Sequence, residues 1–236
     1  MQILTNSIES LEEDAAEIIK DKIYETLAKK EFAILAICGG ENVKGIFQKL
    51  TKADIPWQDV HIFLTDEILA PLDSPDSNYK IAHDFLIKEI VGDGKISEEN
   101  VHPFYYDKPL KQYENELIEL GGGFDIVLLS AGEDGHIAGL FPKLTIKNEE
   151  DYFIAFNNSP KPPKERMTAT RKLIETAQAG ILLFFGEEKR QAFDKLLDDN
   201  IILANCPVKI IRLIPDSFVL TNLDISEEFL KEIEKV

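Results

Sequence analysis

Cysteine, positive charge and long apolar runs are all scarce in this chain of 236 residues. Its two cysteines, Cys38 and Cys206, are too few for a disulfide framework, and both lie in apolar runs where a reduced, buried thiol is ordinary. They predict a reducing compartment. Lys and Arg number 26 against 43 Asp and Glu, a formal net charge of −17. Nucleic acid and anionic membrane both need a dense Lys/Arg footprint, so neither is expected as a partner. The same field repels phosphorylated ligands at long range, and binding one requires a local cluster of amides and cations. No apolar run approaches the roughly 20 residues that span a bilayer. Met1 to Glu13 carries acids and no Lys or Arg ahead of an apolar block, unlike a signal peptide. These absences predict a soluble, cytoplasmic protein. Zinc-type Cys/His spacing and Walker or dinucleotide glycine patterns are missing too, so neither metal nor cofactor is expected.

What is present suits a globular α/β chain: 44% hydrophobic residues can fill a core and 29% charged residues can cover it. One domain over 1–236 is expected. Ile8, Leu11, Ala15, Ile18, Ile19, Ile23 and Leu27 recur at helical spacing, behind Asn6 or Ser7 as N-cap. Phe32 to Cys38 is a continuous apolar run ending at Gly39-Gly40, as in a strand buried on both faces. A helix is expected from about Asn42 to Leu50. The alternation continues with strands over 60–65, 124–131, 152–156, 180–185 and 208–214, and helices over 78–90, 110–120, 168–176 and 187–197. That order predicts a single doubly wound, Rossmann-like domain, with a mostly parallel sheet flanked by helices.

Ligands of open α/β sheets bind beyond the carboxyl ends of the strands, so the residues just after each strand are the informative ones. Gly39 and Gly40 can bring backbone N–H groups to an anion at a helix start, or serve only to reverse the chain. Glu41 competes for those amides. Asp66-Glu67 can accept a sugar hydroxyl or handle a proton, and equally can form an N-cap or surface pair. Asp125 to Ser130 runs as a strand into Ala-Gly-Glu-Asp-Gly-His136. An imidazole delivered through a glycine bend beside Asp134 can take a proton from water while the carboxylate orients the ring. His61, His83 and His102 lack that setting and are expected to be structural or at the surface. Ser159-Pro-Lys-Pro-Pro-Lys-Glu-Arg166 is stiffened by three prolines and offers Lys161 and Arg166 as a cationic clamp, or is a rigid solvated crossover. Lys189, in the first turn after Gly186, is explained by a bound anion or by a plain surface helix. Cys38 has no neighbouring base that would make it a nucleophile.

Together these segments resemble the 6-phosphogluconolactonase family, within the wider glucosamine-6-phosphate deaminase and lactonase superfamily. Gly132-Glu-Asp-Gly-His-Ile-Ala-Gly-Leu-Phe-Pro142 is similar to its histidine motif, and Ser159 to Thr168 to its cationic motif. Asp66-Glu67, Ser77-Asn78 and Gly186 to Lys189 match further blocks in the same order, so the resemblance spans about residues 30 to 215. It implies hydrolysis of 6-phospho-D-glucono-1,5-lactone to 6-phosphogluconate in the pentose phosphate pathway. His136 is then the base for water and Asp66 a substrate-orienting or proton-handling carboxylate. Gly39, Gly40, Arg166 and Lys189 form the phosphate site, with Asp134 and Lys161 also binding substrate. The deaminases continue from Gly-His into an Asn-Glu-Pro-like segment, whereas this chain has Leu140-Phe-Pro142. The departures are Glu41 in a Ser-Gly-Gly-Ser-type loop, Ile68 where an Arg usually follows Asp-Glu, and Gly139 for a usual Ser. Arg171, Lys161 and Lys164 are candidates to replace the lost cation. Two other readings remain open: a sugar-phosphate isomerase or deaminase using Asp66, and a binding protein that kept the fold.

Overall fold

β1 (Gln2–Thr5) leads into α1 (Ile8–Leu27), β2 (Ala33–Ile37), α2 (Lys44–Leu50), β3 (Val60–Leu64) and β4 (Asp66–Ile68) in the computed structural model, which describes residues 1–144 and 152–225. Residues 78–92 are helical throughout, as α3 (Asn78–Ala82), a wider π turn (His83–Ile87) and α4 (Lys88–Gly92). There follow β5 (Val101–His102), α5 (Leu110–Glu119), β6 (Ile126–Ser130), β7 (Phe153–Phe156), β8 (Arg166–Ala169), α6 (Arg171–Ile174), β9 (Ala179–Phe184), α7 (Arg190–Leu197) and β10 (Asp216–Thr221). Among the described residues no helix is long and apolar enough to cross a membrane.

Seven strands form one sheet in the order β1-β10-β9-β6-β2-β3-β5, with every neighbouring pair parallel. The two-residue period of β2 shows how the sheet separates two cores. Ala33, Leu35 and Ile37 face the layer containing Leu11, Ala15, Ile19 and Phe47, while Ile34 and Ala36 face Leu117, Phe153, Met167 and Ile211. Burial on both faces is why β2 and β9 read as unbroken apolar runs. On α1, Ser7 caps the first turn by accepting from the Ser10 amide, and Leu11, Ala15, Ile19 and Ile23 repeat every four residues on the buried side.

The chain leaves β2 through β3 to β5 on one side and returns to build β6, β9 and β10 on the other. The switch point of the sheet therefore lies between β2 and β6, where the following loops diverge and leave a crevice.

Four expectations are corrected. The strand expected over 208–214 is a 3₁₀ helix, Pro207–Leu213, whose residues Pro207 to Ile211 are buried against the sheet. Ile211 and Ile214 fill the space above Gly180, where an added Cβ would lie 2.7 Å from each Cδ1. A short apolar run does not by itself distinguish these conformations. The helix expected over 168–176 shrinks to Arg171–Ile174, because Thr170 is its N-cap and Arg166 to Ala169 form β8. β7 does not join the parallel sheet: it pairs antiparallel with β8, which pairs with β4 in a separate three-stranded sheet. The edge strands β1 and β5 have no counterpart among the expected strands, nor does β10, which takes the place beside β9 and is covered on its other side by β1.

Candidate active site

The loops at the switch point surround a cleft of about 380 Å³. Gly39 and Gly40 line it from the end of β2, Asp66 from β4, His136 from the loop after β6, Lys161 and Arg166 from the proline segment, and Lys189 from the turn after β9. The expected site residues are thus brought together, all of them lining the cleft except Asp134, which stands directly behind His136.

The histidine loop is built on close approaches. Gly132 donates its N–H to the His136 carbonyl (2.8 Å), and Gly135 closes the bend at φ +91° by donating to Gly132 O (3.0 Å). A Cβ on Gly132 would lie 1.9 Å from His136 Nδ1, so only glycine leaves room for the ring. His136 Nδ1 is 2.5 Å from Asp134 Oδ1, and Phe141 packs against the imidazole at 4.6 Å between centroids. With Nδ1 engaged, Nε2 is the nitrogen left to work in the cleft. The loop is supported from below by the 3₁₀ segment: Val208 N donates to Gly135 O (3.0 Å), and Cys206 lies beneath Gly135. Just beyond the histidine, Ala138 adopts φ +48°, a strained conformation for a residue with a Cβ.

Charge is distributed unequally across the cleft. Burial pushes Asp134 up, but the hydrogen bond and charge of His136, with Lys161 3.8 Å away, outweigh it and hold the carboxyl well below its usual range. Asp66 shifts the other way. It is almost fully buried, and desolvation raises it despite Arg166, the Thr65 hydroxyl (3.1 Å) and His136. The Cys38 thiol is likewise pushed up by burial and by Asp66, which leaves it protonated and a poor nucleophile.

Arg166 is fixed before any ligand arrives. Its Nε donates to Pro163 O and its Nη2 to Pro162 O, both at 3.1 Å, which leaves both Nη1 protons and one Nη2 proton for the cleft. Lys161 lines the cleft, whereas Lys164 turns inward to donate to Ser159 O (2.8 Å) and Arg171 pairs with Glu175, the C-cap of α6. Of the three candidate replacements for a lost cation, only Lys161 is in place.

The departures have local structural reasons. Glu41 stands at the mouth and pairs with Lys44 (2.6 Å) in its own helical turn. Ile68 is buried and sits opposite Arg166 in the β4–β8 ladder. Gly139 donates to Thr168 Oγ1 (2.9 Å), and a Cβ there would lie 2.7 Å from Thr168 Cβ, so Thr168 takes the room of a side chain at 139.

Asn42, Asn78 and Ser130 also line the cleft and were not singled out as site residues. Asn42 Nδ2 donates to Ser130 Oγ (3.3 Å). No local motif marks Asn42, and Ser77-Asn78 matches a family block without a site role attached to it, because the neighbours of both asparagines come from other strands and loops. His61 and His102 do prove structural: they contact each other at 3.0 Å, and His102 reaches Glu116 and stacks on Phe63.

A family model described as glucosamine-6-phosphate isomerases/6-phosphogluconolactonase matches residues 6–218. The chain is 30% identical over 233 residues to a 6-phosphogluconolactonase of Borreliella burgdorferi, an alignment covering 94% of this chain and 99% of that protein. It is 30% identical over 191 residues to one from Thermotoga maritima, covering 78% and 83%. The crystal structure of 6-phosphogluconolactonase from Thermotoga maritima superposes with a TM-score of 0.79 at 26% identity, over 93% of this chain and 97% of that one. A monomeric glucosamine-6-phosphate deaminase gives the same TM-score at 23% identity, over 94% and 97%, and so shares the fold.

Proposed function

The chain belongs to the glucosamine-6-phosphate isomerase/6-phosphogluconolactonase family, and on that premise we propose that it is an ester hydrolase opening 6-phospho-D-glucono-1,5-lactone to 6-phosphogluconate. The fold does not choose between lactonase and deaminase, since both superpose equally well. The 30% identical relatives, which are lactonases, favour hydrolysis. The observation that carries the mechanism is the His136–Asp134 pair facing a cleft with cations on its other walls.

The phosphate is held by Arg166 and Lys189 with the amides of Gly39 and Gly40, where the local cations overcome the adverse net charge. His136 Nε2 takes a proton from water as the oxygen attacks the lactone carbonyl carbon, and Asp134 stabilises the imidazolium that forms. As the tetrahedral intermediate collapses, the bond from the carbonyl carbon to the ring oxygen breaks. That oxygen leaves with the proton from His136, giving the open acid. Lys161 braces Asp134 and adds positive charge near the developing oxyanion. Asp66 accepts a hydrogen bond from a substrate hydroxyl. We place the enzyme in the cytoplasm, where the free, buried thiols of Cys38 and Cys206 stay reduced.

The test is a pair of assays on purified protein. Lactone opening faster than the spontaneous reaction, with most of the acceleration lost in His136→Ala at unchanged fold, is the expected result. A wild-type rate equal to buffer would refute the lactonase reading, and ammonia release from glucosamine 6-phosphate would establish the deaminase instead.

A further inference from the structure

Asn78 is a polar side chain of the cleft to which the reaction above gives no task. It is the first residue of α3, behind Ser77 as N-cap, and its backbone is tied down by Glu67, which is 1% exposed. Glu67 Oε1 accepts from the amides of Ile68 (2.8 Å) and Asn78 (2.9 Å). Its Oε2 accepts from Ser77 Oγ (2.9 Å) and the amide of Tyr79 (2.8 Å). Four donors on one buried carboxylate fix the start of α3 against β4 and leave Asn78 little freedom to move.

The side chain bridges both halves of the site. Nδ2 donates to the carbonyl oxygen of Asp66 (2.8 Å), while Oδ1 lies over Gly39, where an added Cβ would come within 2.1 Å of it. Among the described residues Oδ1 accepts no hydrogen bond, whereas Nδ2 is directed at Asp66 twice, to its carbonyl oxygen and to its carboxyl. The carboxamide therefore brings one spare acceptor, Oδ1, to the wall it lines. A hydroxyl, which can donate, matches this acceptor. A phosphate oxygen, which only accepts, would meet Oδ1 as a second acceptor.

Building on the lactonase reading, we propose that Asn78 reads one ring hydroxyl of the sugar lactone and is a specificity-determining residue of the site. Asn78 selects polyhydroxylated lactones over deoxygenated ones of the same charge, and Glu67 acts through it as a positioning residue.

The experiment is a double-mutant cycle between Asn78 and the substrate hydroxyls. Wild type, Asn78→Ala and Asn78→Ser are assayed on 6-phosphogluconolactone and its 2-, 3- and 4-deoxy analogues, and melting curves confirm folding. Loss of one hydrogen-bonded hydroxyl should lower wild-type kcat/KM by about tenfold or more at one position, since a partner is left unpaired. At that position alone, Asn78→Ala should show no further loss. A uniform fall on all four lactones, or an unchanged preference, overturns the proposal, because a merely structural Asn78 would not distinguish ring positions. Calorimetric binding of 6-phosphogluconate and its deoxy analogues is measured in parallel. If wild type binds them with the expected discrimination but hydrolyses no lactone, the lactonase reading fails while the Asn78 assignment stands. If it neither binds nor hydrolyses, both fail.

Discussion

His136 Nδ1 and Asp134 Oδ1 stand 2.5 Å apart on a loop where Gly132 leaves the room that the ring occupies. The carboxylate fixes which ring nitrogen carries the proton and which faces the cleft. Asp134→Asn would keep the shape and lose the charge that stabilises imidazolium. We expect kcat to fall by about 10²-fold or more with KM little changed, in line with the contribution of general-base catalysis. Steady-state kinetics on folded protein checks this, and an unaltered kcat would mean that Asp134 has no part in orienting the base.

Gly132→Ala tests the same geometry from the backbone. Its Cβ would fall 1.9 Å from His136 Nδ1, so the imidazole must shift. A displacement of about 1 Å in a catalytic group costs about 10²-fold in rate. The expected outcome is a large loss of kcat with phosphate affinity retained, measured beside binding of 6-phosphogluconate.

Arg166→Ala should raise KM strongly, because it removes the cleft cation already oriented by the carbonyls of Pro162 and Pro163. A charged hydrogen bond contributes about 1.5–3 kcal/mol, which corresponds to roughly tenfold to a hundredfold in KM. Unphosphorylated gluconolactone should be hardly affected, and an equal loss on both lactones would move the phosphate elsewhere.

Asp66→Asn should separate activity from stability. Burial raises the Asp66 pKa above 3.8, so the folded state holds this proton more tightly than the unfolded chain does. The stability it contributes is present below pH 3.8 and is lost as pH rises through the folded-state value. At pH 7 the variant should therefore melt higher than wild type while turning over more slowly, and the gap in Tm should narrow as pH falls towards 3.8. Melting curves across that range decide the point, and a lower Tm at pH 7 would show that Arg166 and the Thr65 hydroxyl overcompensate for burial.

Glu41→Gln removes a carboxylate from the mouth of the cleft, where it pairs with Lys44 three residues on. The side chain is exposed, so screening limits the effect, and KM for the phosphorylated lactone should fall only a few-fold. The gain should shrink with added salt. A rise in KM would show Glu41 contributing to binding. Ile68→Arg is the less useful restoration, since Ile68 is buried beside Arg166 in the ladder and a second guanidinium there would be desolvated near a like charge.

Much of this protein was determined locally. The unbroken apolar runs of β2, β6 and β9 specify strands covered on both faces, and the four-residue repeat of α1 specifies one face of a helix. His136 was legible for the same reason: its glycines, its strand and Asp134 all lie within a few residues of it. What lay beyond the sequence depends on neighbours distant along the chain. Pro207 to Leu213 is helical because its side chains fill the space over Gly180, and an apolar run does not encode what covers it. β7 and β8 leave the parallel sheet because β8 pairs with β4, just after the main-sheet strand β3. Asn78 enters the site only because Glu67 pins α3 against β4 and Gly39 leaves room for its carboxamide. Local pattern selects the elements and one catalytic motif. Which polar groups meet across the cleft is decided by pairing and packing between segments, and those interactions have no signature within any one of them.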